Sequence, residues 1–251
     1  MNKRLRALRL EEHYSHSQLA TLQGCPLQFK LSYIDKLPEK FKSSALVFGS
    51  ALHLVMEDFY GSFREGELLS AEELQELFEV RLRWLVAKEG EIRFKKDEDL
   101  ESLLATGKSL LKIFSDDRPE EEGEILFVEE PFRLELEGLG KPIVGSIDLV
   151  VETEDSLIII DHKSSGKALG PAEVDILDQL TLYQMALKAM GISEGKEILA
   201  RLDVFVKAKK SPRFIQYWST RSSAEEERLQ RKFQVFERSI KAGNFLPQDG
   251  G

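Results

Sequence analysis

Asp148, Asp161 and Lys163 are the residues of this chain whose types and spacing most directly allow chemistry. From Val144 the sequence reads Val-Gly-Ser-Ile-Asp-Leu-Val-Val, breaks at a short polar segment, and resumes as Leu-Ile-Ile-Ile-Asp-His-Lys up to Lys163. Each apolar, β-branched run thus delivers one carboxylate. Side chains two apart on a strand share a face, so Asp161 and Lys163 point together and His162 points away. If the two runs pair as a hairpin, Asp148 can lie beside Asp161. Two carboxylates and an ammonium on one sheet edge suit the holding of a divalent metal and the activation of a water against a phosphodiester.

The elements that must position these residues are helices first and strands later. Residues 15–35 read as two short helices broken at Gly24-Cys25-Pro26, because proline suits the first turn of a new helix. Residues 44–64 read as one long apolar-rich helix. Ser70 with Glu73 three residues on forms a capping box that opens a helix to about Lys88. A further helix is expected from about Asp97 to Phe114. The stretch Ser115 to Gly123, rich in Asp, Glu, Pro and Arg, reads as a loop. It divides a helical N-terminal segment, 1–118, from a core, 119–251, the two expected to pack as one unit.

Beyond that loop the period changes to two. Strands are expected over Ile125–Leu136, Pro142–Val151 and Leu157–His162, then a helix from about Ala172 to Met190. Strands Ile198–Lys207 and Arg213–Ser219 follow, with a last helix from about Ser223 to Ala242. The helix at 172–190 can serve as a crossover, giving a parallel neighbour in an otherwise antiparallel sheet. The fold class is therefore α/β, a mixed central sheet flanked by helices.

Bulk properties bound the reading without deciding it. The chain has 251 residues, 42% hydrophobic and 31% charged, which suits a globular protein with a good core. Met1 to Leu10 alternates basic residues with leucine and lacks the apolar stretch of a signal peptide. No apolar run approaches the roughly 20 residues needed to cross a bilayer, so no membrane partner is expected. One cysteine, Cys25, excludes an intrachain disulfide framework and suits a reducing cytoplasm. A net charge of −9 argues against a general nucleic-acid coat protein but leaves room for a local basic track.

The order of elements and motifs resembles the PD-(D/E)XK nuclease superfamily, in particular its RecB-type branch, which also includes CRISPR-associated adaptation nucleases and the nuclease domains of bacterial recombination helicases. Ser17-Gln18-Leu19, Cys25-Pro26 and Tyr33 are similar to the branch's N-terminal signature. Phe48-Gly49-Ser50-Ala51-Leu52-His53 matches its Gly-x-x-x-His element, and Glu129-Glu130-Pro131-Phe132 its Glu-x-Pro-Phe strand. Gly145-Ser146-Ile147-Asp148 with Asp161-His162-Lys163 resembles the nuclease signature, and Gln179 to Tyr183 its Gln-x-x-x-Tyr helix.

The resemblance implies a restriction-endonuclease-like core and a metal-dependent DNA nuclease, an exonuclease in repair, recombination or defence, acting on single strands or duplex ends. A helicase or a CRISPR or recombination protein is the implied partner. Asp148 and Asp161 would be metal ligands, with the backbone carbonyl of His162 an additional one and His53 a nitrogen ligand. This mixed shell favours Mn²⁺ alongside Mg²⁺. Lys163 would orient or deprotonate the attacking water. Gln179 and Tyr183, one helical turn apart, would border the site and position Lys163. Glu129 rather than Glu130 would face the site, as a supporting group or a further ligand, and Glu57 is a reserve ligand. Many of these nucleases carry an iron–sulfur cluster held by four cysteines; a chain with Cys25 alone is expected to lack it.

Two rival readings stand beside this one. The first is a non-catalytic nucleic-acid-binding or scaffold module of a recombination or CRISPR-type complex. The second is unrelated chemistry with an incidental Asp-x-Lys, which requires the acidic pair and His53 to lie far apart. Other features read structurally. Gly107-Lys108-Ser109 echoes the end of a phosphate-binding loop but falls in a helical segment. His13 and His16 read as solvated, and Trp84, Phe94 and Phe114 as core rather than as stacking platforms for bases. Lys207, Lys209, Lys210 and Arg213 surround an expected turn between two strands, either as a solvated hairpin or as a clamp on the DNA backbone.

Overall fold

The computed structural model describes residues 3–118, 123–193, 195–208 and 211–247. The chain opens with a short helix α1 (Lys3–Leu8). Helix α2 (His16–Gly24) starts where the Ser15 hydroxyl accepts the N–H of Gln18, and it breaks at Cys25. Helix α3 (Pro26–Phe29) then winds into a wider π-helical turn over Lys30–Ile34. A two-residue strand β1 (Lys42–Ser43) leads directly into α4 (Ser44–Arg64), the long helix expected over those residues. The Ser70–Glu73 capping box opens α5 (Ala71–Glu89). A strand β2 (Ile92–Arg93) pairs parallel with β1, a pair too short for sequence periodicity to reveal. Helix α6 (Leu100–Asp117) has its own capping box, Asp99 with Ser102, and runs three residues past the expected end.

Five strands build the main sheet: β3 (Glu124–Leu134), β4 (Ile143–Glu152), β5 (Ser156–Ser165), β6 (Glu197–Val206) and β7 (Arg213–Thr220). They lie in the order β3-β4-β5-β6-β7, and every pair is antiparallel except β5 with β6. The parallel pair needs a crossover, as expected, but the connection is two helices and not one. They are α7 (Pro171–Asp175) and α8 (Asp178–Ala189). The break follows from competing partners. The Arg221 guanidinium donates to the carbonyls of Val174 and Asp175, which ends α7, while Asp178 opens α8 with its carboxylate 2.6 Å from the Lys232 ammonium. Helix α9 (Ser223–Ala242) closes the described chain.

Alternation along β5 divides the interior. Ile158 and Ile160 face a core made with α4, α5 and α6, whereas Leu157 and Ile159 face a second core made with α2, α8 and α9. The first core spans both halves of the chain. Phe114 of α6 sits 5.5 Å from Phe205 and 5.1 Å from Phe214, ring centre to ring centre, so the helical segment is packed onto the sheet. Gly107 lies inside α6, where a Cβ would fall 2.0 Å from the Phe78 ring. The glycine permits close helix packing and has no phosphate-cradling geometry. No helix of the described residues is long and apolar enough to cross a membrane.

Candidate metal centre

The strands come apart at the two signature carboxylates. Pairing between β4 and β5 ends at Leu149 with Ile160, and one further step in that register sets Asp148 opposite Asp161. At that step the ladder is replaced: the His162 N–H donates to Asp148 Oδ2 at 3.0 Å. On the other side, Val128 opposes Leu149 and Glu130 opposes Ile147, so Glu129 is set opposite Asp148. Glu129 has φ +49°, left-handed backbone that costs a non-glycine residue about 1–3 kcal/mol and concentrates at functional sites. Three carboxylates therefore share one row across β3, β4 and β5, in the fork where regular pairing fails.

Helix α8 holds this row from one side. Lys163 Nζ donates to Asp161 Oδ1 at 3.0 Å and to Gln179 Oε1 at 2.9 Å. The amide nitrogen of Gln179 donates to the Tyr183 hydroxyl at 2.6 Å, and Tyr183 donates to Asp148 Oδ1 at 3.2 Å. The result is a chain of contacts from Asp161 through Lys163, Gln179 and Tyr183 to Asp148. Helix α4 reaches in from the other side, with His53 Nδ1 3.3 Å from Asp148 Oδ2. His162 faces away from Lys163, as alternation requires, and its ring packs 5.4 Å from that of Tyr60.

The electrostatics are those of a site short of positive charge. Burial, then the Asp148 carboxylate, pushes Glu129 up to about 8 against a Ser146 hydroxyl that donates to it at 3.0 Å. Burial also raises Asp161, with Lys163 opposing. Burial works to lower Lys163, but Asp161 and Asp148 outweigh it and hold the ammonium above its ordinary range. His162 is pushed well down by burial, so its imidazole is neutral. The donor set fits a cation. One ligand atom each from His53, Glu129 and Asp148 lie within 4.8 Å of one another. Asp161 Oδ2 is buried without a hydrogen-bond partner, although Lys163 Nζ lies 3.0 Å away as a charge.

Most of the residues singled out in the sequence line one cleft of about 970 Å³, among them His53, Glu57, Glu129, Asp148, Lys163, Gln179 and Tyr183. Glu130 turns away and pairs with Arg4 at 2.6 Å. The approach of His53 to Asp148 removes the reading in which the histidine and that carboxylate lie far apart. Two expectations are corrected. His13 and His16 are both half-buried on the cleft wall and not solvated, and the His16 pKa is lowered by burial and by the Lys163 charge. The place of His16 at the start of α2, two residues after Tyr14 bridges to Ile143 at the start of β4, gave no periodic signal. Trp84 is 52% exposed and lines the same cleft, whereas Leu74, Phe78, Leu82 and Leu85 form the buried face of α5. Lys207 lies with Nζ 4.3 Å over the Phe48 ring, Arg213 is exposed at the start of β7, and Lys209 and Lys210 fall outside the described residues.

A mixed five-stranded sheet with Asp, Asp and Lys at its fork defines a class of protein. A profile of the PD-(D/E)XK nuclease superfamily matches residues 13–251, and the chain belongs to that superfamily. It is 26% identical over 210 residues to an ATP-dependent helicase/nuclease subunit from Lactobacillus johnsonii. That match takes in 72% of this chain and 16% of the relative, so the chain spans a small fraction of that protein's length. A crystal structure from Eubacterium rectale, provisionally described as an exonuclease, superposes with a TM-score of 0.57 at 15% identity, over 99% of this chain and 89% of that one, which shows the shared fold.

Proposed function

We propose that the chain is a divalent-metal-dependent deoxyribonuclease that hydrolyses phosphodiester bonds from DNA ends, single-stranded or duplex. The observation that carries this is the row Glu129–Asp148–Asp161 in the fork of the sheet, with His53 above it and Lys163 beside it. His53, Glu129, Asp148 and Asp161 would hold the ion, with the carbonyl of His162 as a further donor. Hard oxygens with one imidazole suit Mg²⁺ and Mn²⁺. Held there, the ion would supply Lewis acidity toward the phosphate and toward a water.

The chain's own residues do the rest. Lys163 stays an ammonium at neutral pH, so it acts as a donor that aims a water or a phosphate oxygen and not as a base. Gln179 fixes the lysine, and Tyr183 fixes Asp148 while keeping its phenolic proton, since burial and Asp148 raise its pKa well above the ordinary value. Lys207 and Arg213, with Lys209 and Lys210, are the proposed contacts to the DNA backbone. The sequence carries no zinc-finger or other base-reading pattern, which favours action at ends over sequence-specific cleavage. The similarity to a helicase/nuclease subunit supports work beside a helicase in repair, recombination or defence, and a single cysteine, Cys25, suits a reducing cytoplasm.

The test is incubation of the protein with linear and circular, single- and double-stranded DNA in Mg²⁺ or Mn²⁺, beside Lys163→Ala and Asp161→Ala. Metal-dependent loss of linear DNA, absent in both variants, is the expected result. Circular DNA cut as fast as linear overturns the assignment to ends, and DNA bound but never cut overturns the enzyme.

A further inference from the structure

The wall of the cleft contributed by α5 is not needed to hold a metal. Trp84, Leu85 and Lys88 from that helix line the same space as Asp148 and Lys163. Leu85 is buried and belongs to the core, whereas Trp84 is half exposed. Phe48, Phe59, Phe78 and Phe114 from the same helical part are at 0–1% exposure, so the fold had room to bury large rings and left this one out. Trp84 and Lys88 stand four residues apart on one helical face, and the Lys88 ammonium lies 4.6 Å from the indole centre. Tyr33 and Leu46, 37% and 53% exposed, line the cleft as well. Exposed apolar side chains gathered in a cleft mark a binding surface rather than chance.

The ligand chemistry follows from the pair. The Lys88 ammonium lies over one face of the half-exposed indole; a flat aromatic ring would stack on the indole, and the ammonium beside it would take an anion attached to that ring. A nucleotide has both, a base and a phosphate, and the neighbouring metal site is built for the phosphodiester linking one nucleotide to the next. Within a duplex both faces of each base are covered by neighbouring pairs except at the terminal pair, so away from an end only an unpaired base can lie on the indole. We infer that Trp84 stacks an unpaired base of the substrate strand while Lys88 holds that nucleotide's phosphate. The pair would thus set a preference for strands that are single or frayed where they enter the cleft. The inference rests on the nuclease reading of the cleft, but stacking is measured without cleavage.

The chain has two tryptophans, so Trp218→Phe leaves Trp84 as the sole reporter. In Ca²⁺, the emission of this protein is followed as it is titrated with single-stranded oligothymidylate of about 12 nucleotides, the same length of abasic strand, and a blunt duplex. Quenching by oligothymidylate with little by the abasic strand or the duplex is expected. Read by the anisotropy of an end-labelled strand, Trp84→Ala should weaken oligothymidylate binding about tenfold and leave abasic binding unchanged, while Lys88→Ala weakens both. Equal quenching by thymidylate and abasic strands, or a Trp84→Ala protein with unchanged affinity, overturns the inference. Quenching in a protein that cuts nothing under any metal keeps the stacking site and removes the nuclease. Cleavage lost in Lys163→Ala but indifferent to Trp84 does the reverse.

Discussion

The backbone N–H of His162 donates to Asp148 Oδ2 at 3.0 Å, at the step where β4 and β5 cease to pair. A side chain thereby completes a hydrogen bond that the sheet has given up, and the same carboxylate is left facing His53 and Glu129. Asp148 is in this way both a structural acceptor and a candidate ligand, and the two roles separate under substitution.

Asp148→Asn keeps an oxygen for the His162 N–H and removes the charge. Its melting temperature should stay close to that of the parent while metal binding, read by calorimetry, falls below detection. Asp148→Ala also strands a buried N–H and the Tyr183 hydroxyl, costing about 1–3 kcal/mol of stability in denaturant melts. If both variants melt alike, the acceptor role is wrong.

Glu129 connects the site to pH. Its folded pKa of about 8 stands above the ordinary 4.5, so between those values the folded chain binds a proton that the unfolded chain has released. Stability in EDTA should therefore fall as pH rises through this window, and Asp161, also raised, acts in the same direction. Glu129→Gln should flatten the fall in part. Metal must displace the Glu129 proton, so the binding enthalpy near neutral pH should vary with the ionisation enthalpy of the buffer. Heat independent of buffer would remove Glu129 from the ligand set.

The relay through α8 predicts an effect without direct ligation. Tyr183→Phe removes the donor to Asp148 Oδ1, and Gln179→Leu removes the acceptor for Lys163. Groups that orient ligands are worth about 10–100-fold in metal affinity or activity. Tyr183→Phe should lower metal affinity on that scale. Gln179→Leu should lower turnover more than metal affinity, because its contact is with the lysine. The opposite pattern in steady-state kinetics would reassign both.

Gly107→Ala tests the packing role of the glycine. The new methyl meets the Phe78 ring between α5 and α6, and overpacking of this kind costs about 1–3 kcal/mol. Melting should shift down while the metal affinity of the folded protein is unchanged. Nucleotide binding abolished at unchanged stability would revive the phosphate-loop reading.

Much of the fold was legible because local rules govern it. Capping at Ser70, proline at Pro26 and the switch to a period of two after Gly123 each act within a few residues, and the elements they mark lie close to their expected bounds. The crossover helix was legible as an element but not as two, since its break depends on Arg221, more than forty residues away. Trp84 and His16 were misplaced for a related reason: periodicity tells which face of a helix is apolar, not whether another element arrives to cover it.

Which residues could do chemistry was written locally. Asp161 and Lys163 had to share a face because strand geometry repeats every two residues, and Asp148 could join them through a hairpin. Packing between distant elements settled the rest: the hairpin forks there, Glu129 enters the row with strained backbone, and α4 and α8 bring His53, Gln179 and Tyr183 to it. Those contacts join residues from different helices and strands, well separated along the chain. Their distances are set by how two cores pack on opposite faces of one sheet, which no local stretch of sequence encodes.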